Sequence, residues 1–378
     1  MNDWGGMPVS QATHGLGGLK YDPTKRARPQ ELNVFLALVL IVFVFEVLNR
    51  INGTSFLFNM RDNVDTLFNQ QRLDIIVLQV AITGIIALGV TQVIILGGID
   101  LSSGSVVGAT AMITMSFAQT ALVNGNPNPK AVFGDWAMDL PVIAPIAIGI
   151  ACGIFAGLIN GLLIAYTKIP PFIATLGMMV SARGVARWWS NGQPVSFPTE
   201  SYASLSNGDI LGSATFGFLS WDGQNPAIYF VVLAVLFQFL MIYTVYGKRS
   251  YAIGSNEAAA RMSGIAVDRH KVLVYTIAGT LAAIASILLT SKTLTAQAGM
   301  GVMYELDAIA MTVIGGVSLA GGRGSIIGTV LGALIFSVII SGFTSIKLDA
   351  YYQEMVKGAI IVGAVVLDQW RQRGQAKG

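Results

Sequence analysis

Few side chains in this 378-residue sequence could do chemistry, and none stand at spacings that make a catalytic set. Cys152 is the only cysteine, so neither an internal disulfide nor a multi-cysteine metal site can form. It falls in an apolar run and reads as a small buried hydrophobe. His14 and His270 both lie in polar stretches, which argues against a zinc site or a histidine-based triad. Gly247-Lys248 is the one Gly-Lys pair with a nearby hydroxyl residue. A phosphate-cradling loop needs glycine where Ile242 stands and a hydroxyl where Arg249 stands, so the segment fails twice. If ATP drives this protein, another chain hydrolyses it.

What remains is a set of ionisable groups in or beside apolar runs, and at membrane depth such groups are functional candidates. Glu46, near the end of the first run, is expected to snorkel. Asp100 sits in a glycine-rich turn and fits an Asx turn that satisfies local backbone. Glu305 and Asp307 open a run, where acids suit a helix N-terminus. Glu354 and Lys357 are three apart and are expected to neutralise each other. This set lacks the buried carboxylate or histidine relay of a proton-coupled carrier. One polar segment has a different character. Ser255-Asn256-Glu257-Ala258-Ala259-Ala260-Arg261-Met262-Ser263-Gly264 reads as a short helix, capped by Ser255 or Asn256 and stopped by Gly264. Glu257 suits its first turn and Arg261 its last. Its alanine face carries no lipid-facing stripe and fits a groove on another protein.

The elements that hold these residues follow from composition. Hydrophobic residues make up 53% of the chain and charged ones 11%, with mean hydropathy +0.65, against about 25% charge in an ordinary soluble domain. That excludes a soluble enzyme, a disordered chain and a nucleic-acid reader; the solvent is lipid. A spanning helix needs about 20 mostly apolar residues. Candidates fall at 32–49, 73–97, 102–123, 140–167, a short one at 172–189, then 226–246, 272–292, 305–320, 325–344 and 350–368. The expected fold is therefore all-α, a polytopic membrane protein of about ten transmembrane helices. Residues 1–31 form a basic tail, 32–368 one transmembrane domain with a polar loop at 247–271, and 369–378 a second basic tail. The start of the chain has no A-x-A-like cleavage site, and Leu36 to Leu48 reads as a retained anchor. Lysines and arginines collect in the first tail, the 247–271 loop and the last tail, which with ten spans puts both termini in the cytoplasm. The 190–225 loop carries Glu200, Asp209 and Asp222 and no lysine or arginine; the 50–72 loop, with Arg50, Arg61 and Arg72, fits this polarity least well.

Small residues fall into register. Gly149, Gly153, Gly157 and Gly161 recur every fourth residue, as do Gly324, Gly328 and Gly332. In lipid, helices associate by close backbone approach, so these read as packing faces. Gly97-Gly98-Ile99-Asp100-Leu101 is echoed by Gly315-Gly316-Val317-Ser318-Leu319, and Gly104-Ser105-Val106-Val107-Gly108 by Gly324-Ser325-Ile326-Ile327-Gly328. Such echoes suggest an internal duplication, with the pathway at the repeat interface.

Four stretches in order give the chain a resemblance. They are Gly97 to Ser105, Pro170-Pro171-Phe172-Ile173-Ala174-Thr175-Leu176-Gly177, Tyr251 to Gly264, and Tyr304 to Ala310 followed by Gly315-Gly316 and Gly321-Gly322-Arg323-Gly324. Over roughly residues 70 to 368 the sequence resembles the permease subunits of bacterial ABC importers for ribose, xylose, galactose-type sugars and inositol. The resemblance implies a multi-pass inner-membrane permease, not itself an enzyme, that binds no cofactor of its own. ATP and Mg would sit on a partner ABC ATPase, gripping a coupling helix that falls on Asn256 to Gly264. It further implies a second permease copy as a homodimer and a periplasmic sugar-binding protein over the loops at 124–139, 190–225 and 293–304. The glutamate-alanine-alanine pattern of the coupling helix fits imperfectly, since four residues separate Ala259 from Gly264. Asp100, Ser102, Ser103, Ser105, Tyr304, Glu305 and Asp307 are the expected pathway or gating residues. The expected substrate is a pentose such as ribose or xylose, or inositol. The competing reading is an ion-coupled secondary sugar transporter that works without an ATPase.

Overall fold

The computed structural model describes residues 30–59, 68–208 and 225–376. The tail before residue 30, Arg61, Asp62 and Asp65 of the 50–72 loop, and Asp209 and Asp222 of the 190–225 loop lie outside the described residues. The chain folds as α1 (Gln30–Ile51), α2 (Gln70–Ile95), α3 (Ser103–Ala118), α4 (Ile143–Tyr166), α5 (Pro171–Trp189), α6 (Glu200–Asn207), α7 (Asn225–Tyr243), α8 (Val245–Ser255), α9 (Glu257–Met262), α10 (Val267–Thr293), α11 (Tyr304–Ile314), α12 (Ile326–Ser345) and α13 (Ala350–Ala376). Two antiparallel pairs of two-residue strands, β1 (Leu122–Val123) with β2 (Asn126–Pro127) and β3 (Val195–Ser196) with β4 (Thr295–Ala296), tie loops at one end of the bundle. Among the described residues six helices, α1, α2, α4, α7, α10 and α12, are long and apolar enough to cross a membrane.

Burial ranks these helices. α2 and α12 hide two thirds of their apolar stretch inside the protein, whereas α1 hides only 11% and turns Leu36, Leu40 and Phe43 outward. The outward faces of α4 and α7 are likewise apolar, with Phe155, Val231, Val235 and Phe239 exposed. A bundle apolar both inside and out needs another force to choose its helix neighbours, and glycine supplies it. A Cβ added at Gly153 would stand 2.4 Å from the Gly279 carbonyl oxygen, at Gly157 2.3 Å from that of Tyr275, and at Gly161 2.7 Å from the Val272 Cα. These glycines let α4 lie directly on the backbone of α10, while Gly149 faces Thr114 and Ile287. Gly328 and Gly332 do the same for α12, against the carbonyl oxygens of Gly315 and Met311. Gly324 lies just before α12 and packs on Val317.

Several expectations are corrected. The stretch at 305–320 is an 11-residue helix, α11, about 16 Å long and roughly half a hydrocarbon core. It stops at Gly315-Gly316, where Gly316 takes φ +91° and the Val317 N–H turns back to the Thr312 carbonyl. The stretch at 102–123 is likewise shortened to the 16 residues of α3. The first part of the 247–271 segment is helix, α8, because Gly247 and Gly254 bring it against the Met241 and Ile95 carbonyls. The last helix continues through the expected tail to Ala376.

Glu46 does not snorkel. It is buried, accepts from the Leu57 N–H at 3.0 Å and pairs with Arg50, so it satisfies backbone that would otherwise be orphaned. Lys357 turns away from the exposed Glu354 to reach Asp307 at 3.2 Å, because a buried carboxylate holds a cation harder than a solvated one.

Candidate functional site

Two groupings stand out, one at an end of the bundle and one within it. At the end lies α9. The Asn256 side chain accepts from the Ala259 N–H at 3.0 Å and so caps the helix, while Ser255 closes α8. Gly264, at φ +81°, stops it: the Ile265 N–H returns to the Ala260 carbonyl and the Ser263 hydroxyl to that of Ala259. Ala260 faces inward, whereas Ala258, Ala259 and Met262 face out, Met262 with 90% exposure. Free methionine at the tip of an alanine-faced turn is a flexible apolar knob.

The knob is bolted down by charge. Glu257 pairs with Lys271 at 2.7 Å and with Arg261 at 3.4 Å. Arg261 reaches both oxygens of Asp268 at 2.9 Å, and Asp268 also takes Lys168 from the turn between α4 and α5. The Lys271 hydrogen bond, with Arg261 beside it, holds the Glu257 carboxyl below the ordinary carboxylate range. Asp268, with Arg261 bonded to it, pushes the guanidinium further above its usual value. Lys168, Asp268, Lys271 and Met262 were missed by the sequence reading; the partners lie up to 100 residues apart, and local pattern carries no sign of that.

The root of the knob touches both glycine turns. Gly254 packs on the Ile95 carbonyl, which accepts from the Gly322 N–H at 2.8 Å, and Gly321 packs on Gly97. The two turns close alike. The Gly97 and Gly98 N–H groups return to Ile94 and Val93, and those of Gly316 and Val317 to Val313 and Thr312. The structural match therefore pairs Gly97 with Gly316, one residue along from the echo read in the sequence.

Beyond the first turn the chain climbs back into the bundle before α3 starts. Asp100 accepts from the Ser102 N–H at 2.8 Å and hydroxyl at 2.6 Å, and Asn160 of α4 donates to the Ser102 hydroxyl at 2.9 Å. Asn160 lies about 9 Å along α4 from its Tyr166 end. Here the start of α3 meets the start of α11. A Cβ on Gly104 would collide with Glu305 and with the Gly301 carbonyl, and one on Gly108 with that of Met300. The positive ends of two helices thus converge on buried acids, Asp100, Glu305 and Asp307. Arg183 of α5 donates to the Ser105 hydroxyl at 2.9 Å and stands 3.9 Å from Glu305, while Lys357 of α13 holds Asp307. Tyr304 is half-buried beside them. Ser103 Oγ, Asn160 Oδ1, Tyr275 OH and Glu305 Oε2 are buried without a hydrogen-bond partner. The cluster brings Asp100, Ser102, Ser103, Ser105, Glu305 and Asp307 around one junction. Arg183 and Asn160 join it without having been singled out, and Lys357 joins it out of the pair expected with Glu354; a cation inside an apolar run was the available signal for Arg183.

Such an arrangement, two short helices meeting head to head with paired charges, provides hydrogen-bonding groups inside a bundle. Among the described residues no group of three or more His, Cys, Asp or Glu is placed to hold a metal ion. Comparison with known proteins matches residues 72–365 to the family described as branched-chain amino acid transport system / permease component. The ribose import permease protein of Bacillus subtilis (strain 168) is 40% identical over 342 residues, covering 90% of this chain and 93% of the relative. The galactose/methyl galactoside import permease protein of Haemophilus influenzae is 36% identical over 307 residues, 80% of this chain and 88% of the relative. The ribose import permease protein of Escherichia coli (strain K12) is 33% identical over 310 residues, 82% and 87% of the two chains. No solved structure matches.

Proposed function

The chain belongs to the branched-chain amino acid transport system / permease component family, as a multi-pass permease of the bacterial inner membrane, and from that premise we propose that it carries a neutral monosaccharide inward as one half of an ATP-driven importer. The family description speaks of amino acids, whereas the relatives that align over most of this chain are sugar permeases, and the longer alignments weigh more. Ribose stands first among the substrates and galactose second, because those are the sugars in the relatives' names. Xylose and inositol belong to the same chemical class and to the same test.

The observation that carries the coupling is α9, a six-residue helix that presents Ala258, Ala259 and Met262 outward while ion pairs fix its flank. A separate ATPase with ATP and Mg grips this knob from the cytoplasm. Ten helical passes then leave both termini on the same side, with α11 crossing together with the segment before it. A second copy of the chain forms the other half, and a periplasmic sugar-binding protein delivers solute to the far end. ATP closes the ATPase pair, the knobs approach each other, and the route between the permeases changes the side to which it opens.

The test is reconstitution in vesicles with an ABC ATPase and a sugar-binding protein from the same organism. ATP-dependent uptake of labelled ribose is expected, with galactose, xylose and inositol as competitors. Uptake driven by an ion gradient with neither partner present would restore the secondary-carrier reading, which the alignments do not favour.

A further inference from the structure

The outward faces of this bundle are apolar, as lipid requires, but one also carries cations, set among the exposed Val180, Val185, Met355 and Val362. Arg183 on α5 and Lys357 on α13 keep about a quarter of their side-chain surface exposed. Arg183 lies about 18 Å along α5 from Pro171, well inside a 30 Å hydrocarbon core. A guanidinium showing a quarter of its surface to lipid at that depth is strongly disfavoured, so such groups turn to a bundle interior or a water-filled cavity. Around the two cations the surface is also open. An added Cβ would meet nothing within 4 Å at Gly177 or Gly184 of α5, or at Gly358 of α13, whereas the buried glycines of α4 are pressed onto α10. Ser181, exposed on α5, adds a hydroxyl to the same strip.

We infer that the face made by α5, α11 and α13 is the solute-facing wall of the transport route, where Arg183 and Lys357 offer hydrogen bonds to a neutral polyhydroxylated solute. This rests on the proposed function, in which a second copy closes the route from the opposite side. The charges favour that solute class. Arg183 stands beside Glu305 and Lys357 beside Asp307, so the four groups carry no net charge. An anionic solute such as a sugar phosphate would find each cation already matched by a buried acid, whereas the hydroxyls of a neutral solute can accept from the part-exposed cations. Residues 298–303, which lead into α11, lie against the start of α3 through Gly301 and Met300. The wall is therefore backed by the junction of α3 and α11, which in turn connects through the glycine turns to the root of α9.

The experiment starts from Cys152→Ala, which removes the only cysteine. Single cysteines are then placed on the wall as Ser181→Cys, Gly184→Cys and Gly358→Cys, and on apolar outward faces as Phe155→Cys and Val232→Cys. The full-length chain, assembled with its ATPase in vesicles, is treated with a charged methanethiosulfonate reagent. Wall cysteines are expected to react at least tenfold faster than the others, and 100 mM ribose is expected to slow them. Equal reaction at all five positions, or silence at the wall with reaction at Phe155→Cys, would overturn the assignment. Labelling reports water at the wall whether or not ATP drives transport, so loss of ATP dependence would strike the proposed function while leaving this result standing. In a second arm, Arg183→Gln and Lys357→Gln are expected to reduce ribose uptake at least tenfold with unchanged membrane content and unchanged ATPase binding. Uptake within twofold of the parent in both variants would refute the role given to the cations.

Discussion

Gly157→Ala tests the seam on which the bundle is built. The new methyl would lie 2.3 Å from the Tyr275 carbonyl oxygen and 2.8 Å from the Thr276 Cα, against an ordinary contact of 3.4–4 Å. The shortfall is about 1 Å, and both obstacles are backbone, so no side chain can swing aside. α4 and α10 must separate by roughly that distance, which in a packed interior costs about 1–3 kcal/mol. Opposing this, alanine is the better helix former by about 1 kcal/mol. At Gly177 and Gly184, where an added Cβ meets nothing within 4 Å, only the favourable term remains. The two variants are therefore expected to differ in sign: Gly157→Ala lowers stability by up to about 2 kcal/mol, while Gly184→Ala raises it by a few tenths to about 1 kcal/mol. The measurement is thermal unfolding of purified protein in one detergent, compared among the parent and both variants. A Gly157→Ala protein at least as stable as the parent would show that α4 and α10 are not pressed together along this line.

Three further outcomes are expected. Asp268→Asn releases both Arg261 and Lys168, so α9 loses its link to the turn between α4 and α5; stimulation of the ATPase by solute-loaded binding protein should fall several-fold while membrane content stays unchanged. Because its lowered pKa reflects stabilisation of the charged form, Glu257 holds Lys271 fully above about pH 4.5, its ordinary value, and loosens as pH falls through the lowered one. Protection of the α9 amides, taken as exchange relative to the intrinsic rate at each pH, should thus stay flat from pH 8 to about pH 5 and fall only below, and Glu257→Gln should remove that dependence. Thr91→Val deletes a hydroxyl bonded to Thr329 at 2.7 Å and lying 3.3 Å from that of Thr312, and should destabilise the protein by about 1–2 kcal/mol in the same unfolding assay.

The polar lining of the junction was only partly legible in the amino-acid order. Asp100 and Ser102 were visible because an Asx turn is a local device, complete within three residues. Glu305 and Asp307 were visible because acids at the start of an apolar run break its pattern. The partners that balance them, Arg183 and Lys357, come from separate helices, and Lys357 was assigned to the wrong acid, since helix spacing favours Glu354 when nothing is known of burial.

By itself, the sequence determined the solvent, the approximate position of each apolar helix, the glycine faces and the capped turn at Asn256–Gly264. All of these depend on composition or on spacings within a few residues, where helix geometry leaves little choice. The tertiary structure alone decided that α11 stops halfway and that α3 and α11 meet at their positive ends. It also decided that Asp268 ties the knob to Lys168. Those outcomes depend on which carbonyl faces which glycine and which charge is stripped of water, and neither is a property of neighbouring residues in the chain.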